Sequence, residues 1–238
     1  MDITKLTKPA RKLLPLKTCG AVIVAAGTAS RMGGIDKVMA ELKGEPMIAR
    51  TVRTFQECDA ISEIVIVTRE DLIIPITDIC RDMYASKVIA VVCGGKSRQE
   101  SVGLGLNALS NKVKLVAVHD GARPLATYEL IDRSIRAAHT YGAAAPAIPV
   151  KDTIKTVEGG IVVNTPDRSK LRAVQTPQVF DIDLLKGALQ KAYEDNAEVT
   201  DDCSAVERLG MKIKIVEGDE RNLKVTTPMD LKIAEMLL

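Results

Sequence analysis

Val22-Ile23-Val24-Ala25-Ala26-Gly27-Thr28-Ala29-Ser30-Arg31-Met32-Gly33-Gly34-Ile35-Asp36-Lys37 is an apolar strand that runs straight into a loop of small residues. Small side chains let backbone N–H groups approach a phosphate closely, and the fixed cations Arg31 and Lys37 can neutralise charge gathered there. The segment points to a nucleoside triphosphate. Taken alone, Arg31 and Lys37 also read as ordinary solvated charges.

Outward from this stretch, further apolar runs recur at Ile64–Thr68, Val88–Cys93, Leu115–His119 and Ala143–Val150. Between them lie amphipathic stretches of helical length, near Pro46–Glu57, Leu72–Tyr84, Arg98–Leu109 and Tyr128–Tyr141. Strands alternating with helices predict an α/β fold, a Rossmann-like and mostly parallel sheet with helices on both faces. Continuous rather than alternating apolar strands fit burial on both sides. Ligands of such sheets sit beyond the carboxyl ends of the strands, so the loops Gly27–Lys37, Gly94–Arg98 and Asp120–Pro124 are expected to hold the site.

The rhythm breaks after Val150. Around Gly159-Gly160, the β-prone pieces Thr153–Val157 and Ile161–Asn164 read as a hairpin, so residues 151–175 are expected to project as a β-arm. Helices return at Leu184–Glu194 and Asp201–Leu209, then a strand at Lys212–Glu217 and a closing helix from Pro228. The expected organisation is a short extension over residues 1–17 and a single domain over 18–238.

Composition bounds the partners. Lys and Arg number 33 against 31 Asp and Glu, and with no Trp and two Phe there is neither a basic field nor a stacking platform for nucleic acid. No apolar run reaches the roughly 18 residues of a membrane span. Residues 1–17 carry five cations and no apolar core, unlike a secretory signal. The five cysteines are scattered without a CxxC pair, which reads as reduced thiols in a cytoplasmic protein and not as a zinc site.

Several motifs bear on the chemistry. GxGxxG is absent. Gly95-Lys96-Ser97 matches the end of a Walker A motif, but the leading glycine would be Ala90, inside an apolar strand. Asp120 at a strand end reads either as a turn-former or as a carboxylate able to hold Mg²⁺ through oxygen coordination. His119 reads as a packed strand-end histidine more readily than as a base. Arg123-Pro124 offers a guanidinium suited to a second, phosphorylated ligand. No Ser-His-Asp set, HExxH helix or glycosidase carboxylate pair is present. A phosphomonoester nucleophile would need no base, because its second pKa near 6 leaves it mostly dianionic at neutral pH.

Together the blocks Ala25-Ala26-Gly27…Arg31-Met32…Lys37, Gly94-Gly95…Arg98…Ser101-Val102, His119-Asp120-Gly121-Ala122-Arg123-Pro124, Val150-Lys151-Asp152-Thr153, Gln175-Thr176-Pro177-Gln178, Thr200-Asp201-Asp202 and Asn222-Leu223-Lys224-Val225-Thr226 resemble the 2-C-methyl-D-erythritol 4-phosphate cytidylyltransferases. The matches keep their order from about residue 19 to the end. The resemblance implies transfer of a cytidylyl group from CTP to methylerythritol phosphate, with release of pyrophosphate, in the non-mevalonate route to isoprenoids. It places Arg31, Lys37, Arg168 and Lys224 in catalysis. Ala25, Ala26, Gly27, Thr28, Ala29, Ser30, Gly94, Gly95, Arg98 and Ser101 would bind the nucleotide. Asp120 would hold Mg²⁺, and Asp120, Arg123, Thr153, Arg168, Thr176 and Thr200 would face the sugar phosphate. It also implies a homodimer in which the β-arm carries Arg168 into the partner's site.

Two departures stand out. The family commonly has proline before the loop lysine and an aromatic two after it; here these are Asp36 and Met39. An acidic neighbour is able to pair with Lys37 and damp its pull on phosphate. A ribitol 5-phosphate cytidylyltransferase shares the loop and the Thr-Pro-Gln block and is the competing reading. A non-catalytic nucleotide-binding regulator is another, although it would be expected to lose Arg31, Lys37 or Asp120.

Overall fold

The computed structural model describes residues 18–27 and 36–238. In chain order the elements are β1 (Cys19–Val24), β2 (Glu41–Leu42), β3 (Glu45–Pro46), α1 (Met47–Glu57), β4 (Ile61–Thr68), α2 (Ile73–Asp82), β5 (Val88–Cys93), α3 (Arg98–Ala108), β6 (Leu115–Asp120), α4 (Tyr128–Tyr141) and β7 (Ala143–Pro149). They continue with β8 (Thr156–Glu158), β9 (Ile161–Asn164), β10 (Arg172–Val174), β11 (Gln178–Asp181), α5 (Ile182–Glu194), α6 (Asp202–Glu207), β12 (Lys214–Glu217) and α7 (Pro228–Leu237).

Among the described residues the main sheet has eight strands. β6, β1, β4 and β5 lie side by side and parallel, and β12 runs parallel to β7. The expected βαβ rhythm therefore holds through its first half. The difference comes at β10 and β11, which run antiparallel to β7 and, for β11, also to β6. Arg172–Val174, at the end of the stretch read as the arm, is a strand of the main sheet.

Period-two alternation along β1 separates two cores. Ala21 and Ile23 face one layer with Ile48, Val52 and Phe55 of α1 and Ile131 and Ile135 of α4. Val22 faces the other with Val102 and Leu106 of α3 and Leu185 and Leu189 of α5. The strand is thus apolar on both sides because both sides are covered. Helix α3 lies very close to the sheet. A Cβ added at Gly105 would stand 2.5 Å from Val22 and 2.8 Å from Val67, so only glycine permits this approach. A third cluster joins Leu42, Met47, Leu125, Val225 and Ala234, packing the β2–β3 hairpin and α7 against the loop after β6.

The arm is a hairpin of β8 and β9, in which Glu158 pairs with Ile161. Its two-residue turn, Gly159-Gly160, has both φ angles positive, at 55° and 82°, which is why two glycines are needed there. No helix among the described residues is long and apolar enough to cross a membrane. Cys19, Cys58, Cys80 and Cys203 are buried free thiols, and Cys93 is an exposed one.

Candidate active site

A cavity of about 340 Å³ opens at the carboxyl ends of β1, β5 and β6. Ala25, Ala26 and Gly27 form one side, Gly95 to Arg98 another, and Lys37, Asp120 and Lys224 complete the wall among the described residues. Gly27 and Lys37, the described ends of the first forecast loop, meet the loops after β5 and β6 here.

Each wall is built by local chemistry. After β5, a Cβ at Gly94 would lie 2.5 Å from that of Ala26, and one at Gly95 would strike the Glu100 side chain. The two glycines let the loop pass between Ala26 and α3. The Ser97 side chain caps α3 by accepting the Glu100 N–H at 3.1 Å, while Glu100 Oε2 accepts the Lys96 N–H at 2.7 Å. Ser101 Oγ accepts the Gly95 N–H and donates to the Ser97 carbonyl. Its hydroxyl thus braces the loop, and the positive end of α3 faces the cavity.

Asp120 is the electrostatic centre. Its Oδ2 lies 2.9 Å from Lys224 Nζ and 3.5 Å from Arg123 Nε, and its Oδ1 lies 3.8 Å from an Arg98 nitrogen. Burial disfavours its charge, but Lys224, Arg98 and Arg123 prevail and bring its pKa down to about 2. Arg98 also binds the fully buried Asp202 at 2.7 Å. Burial opposes the charge of Arg98, and Asp202 and Asp120 more than offset it. Burial pushes the Asp202 carboxyl up, with Arg98 acting against that rise.

His119 is a packed residue. Burial lowers its pKa to about 4. Its Nε2 lies 3.2 Å from the Arg123 carbonyl, which only accepts, so Nε2 carries the hydrogen and Nδ1 receives the Thr176 hydroxyl at 3.0 Å. The Thr176 oxygen in turn accepts the Asp120 N–H at 3.1 Å. Thr176 therefore stands behind the wall, buried, with its hydroxyl occupied on both sides.

The two glutamines beside it have no role legible in the sequence, and the structure supplies one. Gln175 donates to the Asp219 carbonyl at 2.8 Å and accepts the Asp219 N–H at 3.2 Å, anchoring the loop that leads to Lys224. Asn222 completes this anchor: its side-chain amide donates to the Thr176 carbonyl and its backbone carbonyl accepts from Arg123. Gln178 Oε1 accepts the N–H groups of Asp202 and Cys203, each at 3.1 Å, and so places the carboxylate that holds Arg98. Buried amides with complementary backbone partners leave no periodic trace in a sequence. The only signal was their position inside polar blocks flanked by buried strands.

Lys37 leans over the first loop, its Nζ 3.6 Å from where a Cβ on Gly27 would be. The Asp36 carboxylate, expected to act on Lys37, is engaged by Arg69 at 2.5 Å and by the Val38 N–H at 3.2 Å. Arg123 lies beside Asp120 without lining the cavity. Thr153 and Thr200 are exposed and outside it. Arg168 is also outside, in a separate groove at the base of the arm, where it donates to the Lys151 carbonyl at 2.6 Å. Thr28, Ala29, Ser30 and Arg31 lie outside the described residues.

The comparisons with known proteins agree with one another. Residues 19–238 match the sequence profile of 2-C-methyl-D-erythritol 4-phosphate cytidylyltransferase. Curated proteins of that name from Caldanaerobacter subterraneus subsp. tengcongensis and Symbiobacterium thermophilum are 44% and 45% identical. The first alignment covers 92% of this chain and 97% of the relative, the second 91% of each. Among solved structures, the 4-diphosphocytidyl-2C-methyl-D-erythritol synthase of Anaerococcus prevotii superposes with a TM-score of 0.84 at 34% identity, covering 93% of this chain and 96% of that one. The 2-C-methyl-D-erythritol 4-phosphate cytidylyltransferase of Thermus thermophilus gives 0.75 at 32% identity, covering 91% and 96%. The chain belongs to the 2-C-methyl-D-erythritol 4-phosphate cytidylyltransferase family.

Proposed function

We propose that the chain transfers the cytidylyl group of CTP to 2-C-methyl-D-erythritol 4-phosphate and releases pyrophosphate, as a step of isoprenoid synthesis. The observation that carries this reading is a cavity lined by Lys37, Arg98 and Lys224, in which Arg98 and Lys224 flank the Asp120 carboxylate, while the neighbouring histidine is buried with both ring nitrogens engaged. Such a site aligns and neutralises phosphates; His119 is in no position to act as a base there. A dianionic phosphate oxygen attacks the α-phosphorus, a new P–O bond forms, and the bond to the bridging oxygen breaks with its electron pair leaving on pyrophosphate. Alignment and charge neutralisation supply the rate.

Lys37, together with Arg31, would stabilise the charge that develops on the α-phosphate and on the departing pyrophosphate. Ala25 to Ser30, with Gly94, Gly95 and Arg98, would hold the nucleotide, and Ser101 would brace that loop. Lys224 would meet the sugar phosphate. Asp120 suits Mg²⁺: one carboxylate completed by phosphate oxygens is a usual magnesium environment, and its Oδ1 has only Arg98, at 3.8 Å, among these ion pairs. Held by Asp120, the ion would supply further neutralisation of the triphosphate. Arg123 and Thr176 would position that carboxylate.

Arg168, Thr153 and the exposed Thr200 would face methylerythritol phosphate once two chains associate. The arm displays Val157, Ile161, Val162 and Val163 to solvent, with Ile161 72% exposed, an apolar surface that suits burial against a second copy. Arg168 then enters the partner's site. The expected compartment is the cytoplasm.

Pyrophosphate release measured with CTP, ATP, GTP and UTP against both polyol phosphates tests the activity. CTP with methylerythritol phosphate is the expected pair, lost with EDTA and restored by Mg²⁺. Preference for ribitol 5-phosphate would replace the substrate, and no turnover with any pair would favour a regulator. For the arm, inactive Arg168→Ala and Lys224→Ala chains are expected to regain partial activity when mixed. No recovery despite proven subunit exchange would place Arg168 in its own chain's site.

A further inference from the structure

The carboxyl end of β4 touches the phosphate loop at both its entry and its exit. At the entry, the Ala25 N–H donates to the Val67 carbonyl at 2.7 Å. At the exit, Arg69, the first residue after β4, meets Asp36, the residue before Lys37. Arg69 is itself aimed: Asp71 accepts from its Nε at 3.0 Å and from one terminal nitrogen at 2.8 Å, a bidentate grip that leaves the other terminal nitrogen for Asp36. Asp36 in turn uses its second oxygen on the Val38 N–H, at 3.2 Å, which closes a turn around Lys37.

We propose that Arg69 is a positioning residue for Lys37, neutralising the Asp36 carboxylate and pinning the exit of the loop to the end of β4. This rests on the cytidylyltransferase reading of the site. A bare carboxylate next to Lys37 would repel the triphosphate and weaken the field of the lysine. This chain has an acid beside Lys37 and, across from it, an arginine. The pair is partly shielded, with side chains 29% and 18% exposed, so salt screens it less than a surface pair.

The test is steady-state kinetics on the full chain. Arg69→Ala is expected to lower kcat/KM for CTP about tenfold, mostly through KM, within the range of measured coupling between contacting residues. Adding Asp36→Ala is expected to recover most of that loss, and Arg69→Lys to retain more activity than Arg69→Gln. The loss in Arg69→Ala should shrink as salt rises. An unchanged Arg69→Ala enzyme, or a loss equally large with Asp36→Ala, overturns the inference. No turnover by the unsubstituted chain with any nucleotide defeats the reading of function instead, so the two failures are distinguishable. If Arg69→Ala fails to fold, the Lys and Gln variants alone decide: equal activity in the two overturns the role of the charge.

Discussion

Replacing Arg98 by alanine is expected to remove about 3 kcal/mol of stability and to lower kcat/KM for CTP about 100-fold. The stability loss arises because Asp202 is 1% exposed and Arg98 is its ion-pair partner. Removing one member of a buried pair leaves an uncompensated charge. The pH dependence has a definite sign. Burial already raises the Asp202 carboxyl above its ordinary value and Arg98 opposes that rise, so without Arg98 the carboxyl moves further up. A raised folded value means that the folded state keeps its proton when the unfolded chain, near 3.9, has lost it. Stability of the variant therefore falls as pH rises through the folded value. Urea midpoints should show a larger loss at pH 8 than at pH 5, and Asp202→Asn added to Arg98→Ala should restore much of it. Equal losses at both pH values would show that Asp202 is not the cause.

Asp120→Asn is expected to reduce kcat/KM by about 10²- to 10³-fold, since the variant leaves Lys224, Arg98 and Arg123 gathered around a neutral amide. Its signature in stability lies in acid. The wild-type carboxyl sits at about 2 against an ordinary 3.8. That gap corresponds to about 2 kcal/mol at neutral pH, present above the ordinary value and lost as pH falls from about 4 towards 2. Melting temperature followed through that window should fall more steeply for the wild type than for Asp120→Asn. Parallel curves would mean that the cations do not act on this carboxylate.

Much of the fold was legible because burial on both faces forces long apolar strands and amphipathic helices between them. β5 and α4 fall where those patterns place them. The antiparallel β10 and β11 did not show, because each is a strand of three or four residues flanking Gln175-Thr176-Pro177, a polar stretch that reads as a loop. Its burial is permitted by hydrogen bonds to chain segments remote in sequence, among them Asp219 and Asn222 more than 40 residues away, which no local pattern reveals. The site divides likewise. Strand-end residues such as Asp120 and glycine-dependent loops such as Gly94-Gly95 declare themselves. Asp202, Gln178 and Arg69 act through partners remote in the chain, and their residue types alone say nothing of that.

The segment Gln175–Gln178 fastens three walls of the cavity at once: the loop to Lys224, the end of β6 and the start of α6. Walls tied to one strip share one opening equilibrium, so they close and loosen together as a cooperative unit. Little ordering entropy is then left for substrate binding to supply. A change in any one wall is felt in the other two, which predisposes distant substitutions around this cavity to be non-additive.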